Sequence, residues 1–180
     1  MCEIKKQFKF FWPWQDQEQE NWLEDKSQFG LHLQKPNNLI GIYTFETGEP
    51  ESYTYRLDFQ SDLKDNNDSY IQLFEDAGWE YLGESSWQYF RKPYQQGTSN
   101  EIFSDNQSKI KKYERLVWYQ GIILAIMTAF FIDGSDIEGN LEWISQYLFP
   151  LLFIPTAIIT ILSIMNLLKR IKSLKGEVKD

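Results

Sequence analysis

Over the first hundred residues, apolar positions recur two apart in short runs, the period of a strand with one buried face. The runs are FKFFW from Phe8, GLHL from Gly30, LIGIYTFE from Leu39, YTYRLDF from Tyr53, GWEY from Gly78 and SWQYFRK from Ser86. Two stretches between them read as helices, about Asp16–Phe29 and Asn67–Ala77. Asp16 is expected to cap the first, with Glu18 and Glu20 in its first turn, and Asn67 or Asp68 the second. Gly30 and Gly78 stand where a left-handed residue ends a helix. Laying NWLEDKSQFGLHL (21–33) over SYIQLFEDAGWEY (69–81) matches Trp22 with Tyr70, Leu23 with Ile71, Gly30 with Gly78, and Leu31 and Leu33 with Trp79 and Tyr81. The pattern predicts a strand–helix–strand–strand unit present twice. The expected fold class is α+β: this duplicated unit forms an antiparallel sheet with two helices on one face, followed by a transmembrane α-helical hairpin.

Strand alternation sorts the side chains into two faces. Phe8, Phe10, Trp12, Leu31, Leu33, Tyr53, Tyr55, Leu57, Trp79 and Tyr81 are expected to face the helices. Lys9, Phe11, His32, Thr54, Arg56, Asp58 and Glu80 fall on the opposite, open face. Polar residues on such a face are ordinarily just solvated. The functional alternative is a groove in which Glu80, Asp58, Arg56 and His32 converge between the rings of Phe11 and Trp87.

The C-terminal pattern is different. Leu116–Ile132 is seventeen residues without a charge and Ile144–Leu168 is twenty-five. At about 1.5 Å per residue the second crosses a hydrocarbon core of about 30 Å, and the first nearly does. Neither has the continuous polar face that a helix of a soluble bundle needs. Lys109, Lys111, Lys112 and Arg115 precede the first span. Lys169, Arg170, Lys172 and Lys175 follow the second, whereas the connecting turn 133–142 carries four acids and no base. Loop charge of this kind places both termini in the cytoplasm and the turn outside, a multi-pass protein of the cell membrane. Trp118 and Tyr119 fall at the inner interface of the bilayer, Trp143 and Tyr147 at the outer one. The expected organisation is a cytosolic domain over 1–104, a helical connector over 105–115 capped by Ser104 or Asp105, the hairpin over 116–168 and a basic tail over 169–180. Gly121, Ala125 and Ala129 lie four apart and are expected to pack within the hairpin, a second copy of the span being the alternative.

Charge and chemistry narrow the function. Residues 1–104 hold eighteen Asp and Glu against nine Lys and Arg, which disfavours direct nucleic-acid binding. One cysteine, Cys2, and one histidine, His32, supply neither an internal disulfide nor a structural zinc site, and no metal or cofactor is expected. The N-terminal MCEIKKQFKFFWPWQ is a poor signal peptide. No phosphate-binding glycine loop or nucleophile elbow occurs, so no enzymatic role is expected.

The segments FKFFWPWQDQEQENWLEDKSQFGLHL, YTFETGEPESYTYRLDF and YIQLFEDAGWEYLGESSWQYFRK together resemble the DUF2812 family, a bacterial family of unknown function, over about residues 8–104. GLHL stands where a Trp commonly follows the glycine. The resemblance implies C-terminal membrane spans and an association with PadR-like transcription regulators, and supplies no catalytic residues. In topology alone, the duplicated unit is similar to effector-binding domains of the gyrase-inhibitory type, which hold small cationic or amphiphilic molecules between aromatic walls. The expected role is a membrane-anchored regulatory or sensor protein that binds a small amphiphilic or cationic ligand and acts with such a regulator. The alternative is a scaffold tethering a regulator or another membrane protein at the inner leaflet.

Overall fold

The computed structural model describes residues 3–37, 41–59, 67–97, 100–103, 105–134 and 147–177. In chain order the elements are β1 (Ile4–Phe8), α1 (Asp16–Gln28), β2 (Leu31–Lys35), β3 (Ile42–Thr47), β4 (Tyr53–Asp58), α2 (Asn67–Asp76), β5 (Glu80–Glu84), β6 (Gln88–Pro93), α3 (Asn106–Gly134) and α4 (Phe149–Glu177). They fall into two compact units, Met1–Lys112 and Tyr113–Asp180.

The first unit is the duplicated α+β domain. Its strands form two antiparallel three-stranded sheets, ordered β1-β3-β2 and β4-β6-β5, where the sequence suggested one. The same bulge recurs in both, between Leu33 and Lys35 in the first and between Tyr81 and Gly83 in the second. Gly30 and Gly78 both have positive φ, 73° and 83°, as helix ends with a left-handed residue require. Pairing fixes the equivalences between copies. Ile4 and His32 lie opposite Glu46 as Tyr55 and Glu80 lie opposite Arg91, so Ile4 corresponds to Tyr55, Lys5 to Arg56 and His32 to Glu80.

Each helix covers the same face of its own sheet. Trp22 of α1 meets the rings of Tyr43 and Phe45, and Phe74 of α2 meets Phe90 in a cluster with Trp79, Tyr70 and Tyr81. The face expectations hold for Leu33, His32, Trp79 and Tyr81 and fail at the first strand of each copy. β1 ends at Phe8, and the chain leaves it through a turn in which the Gln15 N–H donates to Trp12 O. Alternation is kept but its sense is inverted: Lys5 and Gln7 pair with Phe45 and Tyr43 on the helix face and Lys9 and Phe11 reach Trp22, so Phe8 and Phe10 point outward, 74% and 52% exposed. β4 has no open face: Tyr55 and Leu57 are buried on one side and Thr54 and Asp58 on the other.

The second unit contains most of α3 and all of α4, both long and apolar enough to cross a bilayer. Only 11% and 17% of their most apolar windows are buried, the reverse of what a helix at the centre of a soluble core shows. The expected cap is present: Asp105 Oδ1 accepts the Ser108 N–H at 2.7 Å, and this bond holds its carboxyl below the usual range. The hairpin closes through stacked Phe131 and Phe153 rings at 4.4 Å and through Arg170 over the Tyr113 ring at 5.1 Å. Ala125 and Ala129 are exposed, and a Cβ on Gly121 would meet nothing within 4 Å, so the small-residue stripe does not form the seam. The bulkier Leu116, Leu167 and Ile171 are buried instead. Thr156 and Thr160 return their hydroxyls to carbonyls one turn back, which hides polar groups beside Pro155. Trp118, Tyr119 and Tyr147 are exposed; Trp143 and most of the 133–142 turn lie outside the described residues.

Candidate functional site

Helix α1, DQEQENWLEDKSQ, has only Trp22 and Leu23 as apolar residues, and both are spent on sheet contacts and core. Its remaining inward positions are polar: Asp16, Gln19, Glu20 and Ser27 are buried. What they contact explains why burial is tolerated. β4 pairs with β6 on one side only, so its other edge presents unpaired backbone groups. α1 lies along that edge. Glu24 Oε1 accepts the Tyr55 N–H at 3.2 Å, and Glu20 Oε1 accepts the Leu57 N–H at 2.9 Å. The edge carbonyls are met by cations, Tyr55 O by Arg56 Nη1 at 2.6 Å and Leu57 O by Lys112 Nζ at 2.6 Å. An edge strand is thereby paired by side chains in place of a neighbouring strand.

The same groups form an ionic cluster. Lys112 Nζ also donates to Asp16 Oδ2 at 2.9 Å and sits 5.2 Å from the Trp87 ring centroid. Arg56 Nη1 lies 2.8 Å from Glu24 and 3.7 Å from Glu20, and its Nη2 lies 3.3 Å from Glu101, which also pairs with Lys109. Among the described residues, four carboxylates (Asp16, Glu20, Glu24, Glu101) thus face three cations (Arg56, Lys109, Lys112), an excess that one proton would balance. Burial pushes Glu20 up to about 7; Asp16 adds to that effect, while Lys112 and Arg56 oppose it. Burial alone would lower Arg56, but Glu20, Glu101 and Glu24 more than offset it and leave its guanidinium firmly charged. Beneath the cluster, Gln19 Nε2 donates to the Tyr43 hydroxyl at 2.9 Å and to the Tyr89 hydroxyl at 2.6 Å, joining the two sheets through one amide. Burial raises both tyrosine hydroxyls above their ordinary range.

The six residues singled out as ligand contacts divide among four places. Arg56 and Trp87 belong to the clasp just described, and Trp87 is buried against Phe59. Asp58, fully buried, accepts a hydrogen bond from the Tyr70 hydroxyl of α2, so it does not lie in an open groove. Phe11 is part of the α1 packing. His32 and Glu80, at equivalent positions of the two copies, do come together in one surface patch. The His32 and Tyr53 ring centroids are 5.4 Å apart, and Arg91 covers Tyr53 at 4.8 Å while binding both Glu80 oxygens at 2.6 and 3.0 Å. His32 is held from behind by Ser27 Oγ at 2.7 Å and Glu49 O at 2.9 Å. The residues that sequence reasoning missed are Asp16, Gln19, Glu20, Glu24 and Lys112. Their signal was available: a helix with so few apolar residues has to bury polar ones if it is to be internal.

A family model described as a protein of unknown function, DUF2812, matches residues 15–127, a span that includes every element of the duplicated domain but β1, the clasp and about the first three-quarters of α3. No curated protein and no solved structure matches.

Proposed function

The chain belongs to the DUF2812 family, and on that premise we propose that it is a membrane-anchored, non-enzymatic regulatory protein in which the duplicated domain senses a small cationic or amphiphilic molecule. An α+β domain attached to a membrane-spanning helical region is the frame for this reading. The observation that carries it is Lys112. It lies on α3, a single helix from Asn106 to Gly134, and its ammonium group is buried between Asp16 and Leu57 O. A change in the charge or packing of the clasp therefore acts directly on the helix that becomes the first span. Glu80 and Tyr53 are the ligand-facing groups of this reading, with Arg91 displaced from Glu80 by an incoming cation. A PadR-like regulator is the proposed downstream partner, with the termini in the cytoplasm.

The test uses the full chain in lipid nanodiscs, titrated with tetraphenylphosphonium as a lipophilic cation. Binding is expected to raise the unfolding temperature and to be lost in Glu80→Gln. A flat titration sinks the sensor and leaves the tethering role. That second reading is favoured by the acid excess of residues 1–104, which suits a basic partner, and its own check is co-purification of a regulator with the full-length protein. Orientation is checked by replacing Cys2 with serine, introducing Ser135→Cys, and labelling intact cells with an impermeant maleimide. Labelling only after lysis would reverse the proposed topology.

A further inference from the structure

β1 and β4 hold the same place in equivalent sheets, each an edge strand paired on one side only. β4 is clasped by α1. Among the described residues no side chain caps β1 in that way, and every residue of it but Gln7 is exposed. The apolar Ile4 and Phe8 are 49% and 74% exposed. The missing counterpart can be identified within the same chain. With Trp22 matched to Tyr70, Glu20 corresponds to Asp68 and Glu24 to Gln72. Both are acceptors, one turn apart on α2, and both are exposed. Leu73 beside them is 63% exposed, and Glu75 and Asp76 add acid to the same helix. Opposite in kind, β1 carries Lys5 in the place of Arg56, followed by Lys6.

We propose that the bare β1 edge is covered by α2 of a second copy of this chain, repeating between chains the α1–β4 clasp that each chain makes internally. Gln72 and Asp68 of the second copy would accept the backbone N–H groups of Ile4 and Lys6, as Glu24 and Glu20 accept those of Tyr55 and Leu57. Lys5 would pair with Asp68 as Arg56 pairs with Glu20 and Glu24. Direct β1–β1 pairing is disfavoured, because it sets Lys5 and Lys6 against their own copies. Because each chain offers one β1 and one α2, the contact either closes reciprocally in a two-fold pair or runs head-to-tail into a ring or a row of domains. This differs from association through the spans, since it uses only the cytosolic domain.

The test cross-links full-length protein in its membrane. Two tagged forms, both Cys2→Ser, are co-expressed, one with Ile4→Cys and one with Gln72→Cys, and treated with a short bismaleimide. A band of doubled mass carrying both tags is expected, well above that from a Tyr94→Cys control at an unrelated exposed site. Asp68→Lys should abolish the band, and Lys5→Asp in the same chains should restore it. A band no stronger than the control overturns the proposal. So does a dominant product joining two Ile4→Cys chains, which means β1–β1 pairing. A product joining Ile4→Cys to a protein of another mass also overturns it, in favour of a foreign acidic partner. Ile4, Lys5, Asp68, Gln72 and Tyr94 are all exposed, so loss of folding does not mimic loss of contact.

Discussion

The two copies of the strand–helix–strand–strand unit share strand order, bulge position and the way each helix covers its own sheet. Their edge strands differ: β4 is buried along its length, whereas β1 is open to solvent. The cause is chain order. α1 precedes the second sheet and can serve two sheets at once, filling one with Trp22 and clasping the edge of the other with Glu20 and Glu24. α2 has no later sheet to clasp, so Asp68 and Gln72 are left on its surface. Duplication of a sequence therefore gives equal elements with unequal surroundings, and the unequal member is where a partner is to be sought.

The strongest way to break this comparison is to remove a cation from each edge. Lys112→Ala removes the cation shared by the buried Asp16 carboxylate and the Leu57 carbonyl and should cost about 3–5 kcal/mol. Lys5→Ala on the bare edge should change monomer stability by less than about 0.5 kcal/mol. Denaturant titrations of the full chain followed by tryptophan fluorescence compare the two, and equal losses would contradict the asymmetry. Next in size is the acceptor pair. Glu24→Ala leaves the Tyr55 N–H without a partner, a loss of about 1–3 kcal/mol. Gln72→Ala, its counterpart, should fall within about 0.5 kcal/mol in the monomer.

A smaller effect depends on pH. Glu20 is held near 7 in the folded chain against 4.5 for its ordinary value, so between those values the folded state binds more protons than the unfolded state. Its contribution to stability is full below 4.5 and is lost as pH rises through 7. Glu20→Gln keeps an acceptor for Leu57 N–H and removes this dependence, so the variant should gain on the wild type across that interval in thermal unfolding. A constant offset between the two curves would show that Glu20 does not take the balancing proton.

Much of the fold was legible in the sequence. The repeat was visible in Trp22 and Tyr70, Gly30 and Gly78, because helix ends and buried rings depend on local geometry. The spans were visible in two uncharged runs, because a bilayer imposes a length. The cap at Asp105 follows from the same local rules. The clasp was hidden because its residues look like those of a solvated helix face. Asp16, Glu20 and Glu24 are ordinary surface residues in a first reading, and Asp16 looked like a cap when it is a buried partner of Lys112, ninety-six positions away. Phe8 and Phe11 exchanged roles because alternation tells which residues share a face, whereas only the pairing of β1 with Tyr43 and Phe45 tells which face the helix covers.

By itself, then, the amino-acid sequence determined the elements, their duplication and the two apolar helices, all governed by interactions within a few residues or by the thickness of a membrane. Only the tertiary structure decided that α1 would serve two sheets, which edge would be left bare, and that Lys112 at the head of α3 would be held inside the domain. Those outcomes rest on backbone groups of β4 that have no strand beside them. Nothing in the local sequence of β4 or of α1 says that each will supply the other's missing hydrogen bonds.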